Sequence, residues 1–114
     1  MATLEIQEPD WPTFFGQFMQ RYAGRPCRLE LLGEDLGAHI ATHGLPLSAI
    51  EADIRHPRHE ISFLIGDRAD KHVTHVISSP THVRHREVSS GTPATLQIES
   101  AGGVTTLLSI EQSG

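Results

Sequence analysis

The apolar residues of this 114-residue chain change their period once, near residue 27, and that change restricts the fold more than any other feature. Before it, Trp11, Phe14, Phe15, Phe18, Met19 and Tyr22 fall at i, i+3, i+4, i+7, i+8 and i+11, the single continuous stripe of an amphipathic helix over Trp11–Ala23. Asp10 stands where an N-cap belongs, Pro12 is tolerated in the first turn, Gly24 suits C′ and Pro26 prevents resumption. The opposite face (Thr13, Gln17, Gln20, Arg21) is polar without being basic, which favours packing on a sheet over binding to a membrane surface.

Downstream the period becomes two. Strands are expected at Arg28–Leu32, Ala38–His43, Ala49–Arg55, Glu60–Ile65, Val73–Ser78, Thr81–Val88, Thr95–Glu99 and Val104–Ile110, with Thr3–Gln7 as a further edge strand. Ile61, Phe63 and Ile65 share one face and leave Leu64 on the other; Val73, His75 and Ile77 form another inward set. Thr81–Val88 is polar enough to be expected at a sheet edge. Turn chemistry separates these runs at Gly33-Glu34-Asp35, Gly44-Leu45-Pro46, His56-Pro57, Gly66-Asp67, Ser79-Pro80, Ser89-Ser90-Gly91 and Ala101-Gly102-Gly103, the last giving the strongest hairpin signal. Short strands without intervening helices make an antiparallel meander. The expected class is therefore α+β: one N-terminal amphipathic helix on a curved antiparallel β-meander or small open barrel of roughly six to eight strands, residues 1–114 forming a single domain. The stretch ATLEIQE (2–8) is similar to ATLQIES (94–100), though so short a match does not establish a repeat.

Apolar content of 38% and charged content of 20% fit a globular domain, and no apolar run approaches the ~20 residues that span a bilayer. The N-terminal segment is acidic and lacks a basic and apolar leader pattern, and Cys27 is the single cysteine, so a cytoplasmic protein with a buried structural thiol is expected. The net charge of −5 is unevenly spread: residues 55–86 carry +3 and the remainder −8. Such polarity suits head-to-tail contacts or a charged partner. Nucleic acid is disfavoured by the overall negative charge and by the lack of exposed stacking aromatics; Phe63, the one aromatic in the basic stretch, belongs to the core set.

Eight histidines occur as four pairs: His39/His43, His56/His59, His72/His75 and His82/His85. Two imidazoles on one metal must bring their donors within about 4 Å, as Zn–N distances of about 2.0–2.1 Å require. On a strand, i and i+3 point to opposite faces and i and i+4 stand about 13 Å apart. Only the turn His56-Pro57-Arg58-His59-Glu60 escapes that geometry, so His56, His59 and Glu60 are the candidate ligands for a divalent transition metal such as zinc, nickel or copper. His75, inward with Val73 and Ile77, is expected as a buried neutral imidazole.

No nucleophile elbow, P-loop, HExxH or CxxC is present, so the residues give catalysis no support and no cofactor is expected apart from that metal alternative. The first expectation is a non-enzymatic binding or interaction module, self-associating or partner-binding through a sheet surface that includes Leu64, Arg84, Arg86 and Leu107, with no membrane partner. The alternative is a histidine-based metal-binding protein.

Several short stretches carry a family resemblance: Trp11 with Phe14-Phe15 and Phe18, Gly24-Arg25, Asp35-Leu36-Gly37-Ala38, Gly44-Leu45-Pro46-Leu47, His75-Val76-Ile77 with Pro80, and Leu96-Gln97-Ile98-Glu99-Ser100 leading through Gly102-Gly103 to Leu107-Leu108. Together they resemble a family of small bacterial proteins defined only as a domain of unknown function. The resemblance implies a compact bacterial cytoplasmic domain and brings no activity, cofactor or site residues with it.

Overall fold

The computed structural model describes residues 3–33, 37–55, 59–68, 70–86 and 94–111. Strand β1 (Thr3–Ile6) leads through a 3-10 turn, Glu8–Asp10, into helix α1 (Trp11–Tyr22). Seven strands follow: β2 (Pro26–Gly33), β3 (Gly37–Asp53), β4 (Glu60–Arg68), β5 (Lys71–Ser78), β6 (Pro80–Arg86), β7 (Thr95–Ser100) and β8 (Thr105–Ile110). All described pairings are antiparallel, in the order β1-β6-β7-β8-β2-β3-β4-β5. The result is one helix packed on an open eight-stranded antiparallel sheet, as the period change implies.

The face beneath the helix is the core. Alternation sends Cys27, Leu29, Leu47, Ile61, Phe63, Ile65, Val83, Leu96, Ile98 and Leu108 inward, each with essentially no exposure. The helix closes over them with Trp11, Phe15, Phe18 and Tyr22. Trp11 Nε1–H donates to Ile6 O at 2.9 Å, fastening the helix start to the end of β1. At the other end Gly24 takes φ +82° and its N–H donates to Leu47 O at 2.8 Å, so the C′ glycine ties the helix to β3. Asp10 does not cap with its side chain, because the 3-10 turn runs straight into the helix and leaves Asp10 with helical backbone angles (φ −95°, ψ −5°) where a capping residue would be extended.

Three expectations about the strands are corrected. Ala38–His43 and Ala49–Arg55 are one 17-residue strand, since Gly44 (φ +87°) and register shifts against β2 and β4 let the chain bend without leaving the ladder. Gly66-Asp67 likewise lies within β4 and does not end it. Thr81–Val88 is no edge: β6 lies between β1 and β7, and Val83 and His85 are buried there. Strands β5 and β6 are separated by Ser79 alone, whose left-handed φ of 53° turns the chain from one part of the sheet to another. Its N–H donates to His59 O at 3.0 Å and its carbonyl accepts from Ala101 N–H at 2.9 Å, stitching the β4 and β7 sides together at the corner. The expected turn at His56-Pro57 and the turns at 34–35 and 89–91 lie outside the described residues.

Candidate functional site

Two strands end the sheet, β1 and β5, and each pairs on one side only among the described residues. Around β1 the register repeats. Thr3, Leu4, Glu5 and Ile6 lie opposite Arg86, His85, Arg84 and Val83 on one side of β6. Thr95, Leu96, Gln97 and Ile98 lie opposite the same four residues on the other side. The similarity of ATLEIQE to ATLQIES therefore has a physical basis: both segments solve the same pairing problem against β6, with threonine and Glu or Gln outward and leucine and isoleucine inward. The glutamate departs from that symmetry usefully. Glu5 Oε2 accepts from His82 Nδ1 at 3.0 Å, Glu5 Oε1 meets Arg84 Nε at 3.3 Å, and Arg84 Nη1 reaches Glu99 Oε2 at 2.9 Å. An ionised carboxylate only accepts, so His82 carries its proton on Nδ1. The hydrogen bond from His82 is the largest cause holding the Glu5 carboxyl below its ordinary value, the attraction of Arg84 adding to it.

On its inner side β1 is incompletely covered. Leu4 is 44% exposed and borders a groove of about 220 Å³ whose other walls include Phe14, Phe18, Tyr22 and His85. His85 sits with its ring 5.2 Å from Phe14 and 5.7 Å from Phe18, an aromatic floor beneath the strand.

The β5 edge frames a second opening. A slot of about 500 Å³ runs between β5 and the strands opposite, bordered by Leu31, His75, Ile77, Val104 and Thr106 among others. His75 is half-buried, not fully buried as expected, because it stands on an edge strand; its Nε2 lies 3.5 Å from Thr106 Oγ1. Desolvation lowers the His75 pKa, so the imidazole is held neutral.

The anticipated interaction residues all point outward but divide between two parts of the sheet. Arg84 and Leu107 lie in one cross-strand row on the outer face, both opposite Gln97, and Arg86 is exposed at the end of β6 on that face. Leu64 is exposed on β4, on the distant part of the sheet, opposite Thr74. Leu4 and Val76, the latter 46% exposed on β5, are exposed apolar edge residues that were not among the anticipated interaction residues, although the alternation of Thr3–Gln7 and of Val73–Ser78 places both strands.

Of the anticipated metal ligands, His56 lies outside the described residues. His59 Nε2 is 3.1 Å from Glu8 Oε1, and its ring stacks on Trp11 at 5.7 Å and 26°. Glu60 borders a separate depression of about 740 Å³ with Glu51, Asp53 and Arg55. Adjacent residues on extended backbone face apart, so His59 and Glu60 serve different surroundings. Among the described residues no three His, Cys, Asp or Glu side chains converge. Cys27 is buried, its thiol pushed up to about 12 chiefly by desolvation, which makes it a packing residue.

Fold and surface together define a small α+β domain whose sheet ends on two strands that pair on one side only among the described residues. Residues 2–113 match the model of a family of unknown function, DUF5335, and the chain belongs to that family. No curated protein and no solved structure matches it. No described helix is long and apolar enough to cross a membrane.

Proposed function

We propose that this domain is a non-enzymatic interaction module that self-associates through an edge of its sheet. One observation carries the reading: the sheet ends on strands whose outer sides pair with no described strand, and exposed apolar side chains stand on them, Leu4 on β1 and Val76 on β5. Unpaired strand edges hold rows of backbone donors and acceptors, and proteins that do not use them cover, bulge or charge them. Here Thr3, Leu4 and Glu5 stay exposed, as do Lys71, His72, Thr74 and Val76. A cytoplasmic setting belongs to the same proposal and rests on the lone, buried, reduced Cys27. The test is the mass in solution. Sedimentation equilibrium of the parent chain at neutral pH across the micromolar range is expected to reveal a reversible dimer; a monomer throughout ends the reading.

A further inference from the structure

We propose that the open edge of β1 is the self-association interface, and that its occupant is β1 of a second copy, paired antiparallel about a two-fold axis at Leu4. This rests on the self-association reading above and names the edge that performs it.

The repeated register is the argument. Strand β7 stands against β6 as β1 does, and the other side of β7 is filled by β8, which puts Leu108 opposite Leu96, Ser109 opposite Thr95 and Leu107 opposite Gln97. Strand β1 repeats that order of side chains as Thr3-Leu4-Glu5 and, bonding the opposite side of β6, turns the backbone groups of Thr3 and Glu5 to an open side on which no described strand is its neighbour. A second β1 centred on Leu4 supplies it: leucine faces leucine, as Leu108 faces Leu96, while Glu5 of each copy faces Thr3 of the other. The competing registers are worse. A shift that centres the axis on Glu5 sets two carboxylates directly opposite, a destabilising arrangement. A slip by one residue sends the apolar set to the wrong face.

The surroundings fit the same occupant. Leu4 is exposed although it lies on the inward side, and the groove of about 220 Å³ beside it, walled by Phe14, Phe18 and Tyr22, can take the partner's Leu4 side chain. Glu5 would ordinarily guard an edge against pairing, but its carboxylate is already engaged within its own chain by His82 and Arg84. The contact uses the same patch on both copies, so it closes at a dimer. The β5 edge is the poorer candidate: it opens into the slot bordered by its own Leu31 and Thr106, and it begins with Lys71.

Full-length Leu4→Cys, held in oxidised glutathione, is expected to form a covalent dimer visible on a non-reducing gel. The parent stays unlinked because its only thiol, Cys27, is buried. Leu4→Lys, with an unchanged circular dichroism spectrum, is expected to weaken the dimer by about tenfold or more. Thr74→Lys, which charges the β5 edge, is expected to leave it unchanged. A parent dimer that survives Leu4→Lys, shows no cross-link in Leu4→Cys and dissociates in Thr74→Lys overturns the β1 assignment while leaving self-association standing. A parent that is monomeric overturns both.

Discussion

Single residues tell most where burial and a neighbour act on one titratable group. His75 is held neutral because desolvation disfavours imidazolium. The folded chain thus binds fewer protons than the unfolded chain once the pH falls past the ordinary histidine value, so the stability tied to His75 is present at neutral pH and is lost on acidification. His75→Leu is expected to flatten the fall in melting temperature between about pH 7 and about pH 5; a variant as steep as the parent assigns the effect elsewhere. Glu5 acts in a lower window. Its carboxyl is depressed mainly by the bond from His82, so its contribution is present above the ordinary carboxylate range and disappears as the pH falls below it. Glu5→Gln should therefore lower stability at neutral pH by a constant amount and flatten the fall on the acid limb, read from melting temperature against pH. His59 is structural in a way the sequence did not disclose. Its ring lies on Trp11 and its Nε2 on Glu8, so His59→Ala should cost about 1 kcal/mol in denaturant unfolding and change the emission of the single tryptophan. The spacing of His56 and His59 suggested a shared ligand, but spacing does not report that Trp11 arrives from another element. By contrast, the dispersal of His72 from His75 and of His82 from His85 was legible, because period two on a strand sends such pairs to opposite faces; His75 and His85 turn inward, His72 and His82 outward.

Elements were legible where one residue type decides the backbone. The stripe from Trp11 to Tyr22 gave the helix to within one residue, and Ala101-Gly102-Gly103 gave the β7–β8 hairpin. Glycines inside the bent strands misled, because a positive-φ glycine marks a bulge as readily as a turn. Gly66 is the sharpest case. It has φ +102°, and a Cβ there would meet Lys71 O, the His72 Cα at 2.7 Å and the His72 Cβ at 3.1 Å. The β4–β5 crossing at that point exists only because the side chain is absent. Gly66→Ala is expected to destabilise the domain by about 2 kcal/mol or more, read from urea unfolding, since backbone strain and a clash with main chain act together. Gly44→Ala, with open space around it, should cost only the strain of its φ of +87°. The polar look of residues 81–88 misplaced β6 for a different reason: a central strand with one face on charged neighbours reads like an edge, and the side-chain contacts of His82 and Arg84 with Glu5 and Glu99 occupy that face. Strand order is set by contacts between residues far apart in sequence, which local periodicity does not contain.

At the scale of the molecule, protection should follow the strand order. Strands β7, β8 and β2 are paired on both sides, and Leu96, Ile98, Leu108 and Leu29 bury their inner faces completely. Strands β1 and β5 are paired on one side, and exposed residues predominate on both. Opening free energies grow with burial and with shared ladders, so the central amides should exchange only on global unfolding and the two edges well before it. Self-association breaks that equivalence. Anything that binds the folded state protects the amides it covers in proportion to its concentration. If β1 pairs with a second β1, raising the protein concentration through the micromolar range should slow exchange at Thr3–Ile6 and leave Lys71–Ser78 unchanged. In Leu4→Lys the β1 amides should exchange quickly at every concentration. Exchange that slows instead along β5 would move the interface to the other end of the sheet, and exchange indifferent to concentration at both edges would leave a domain whose open strands meet no second copy.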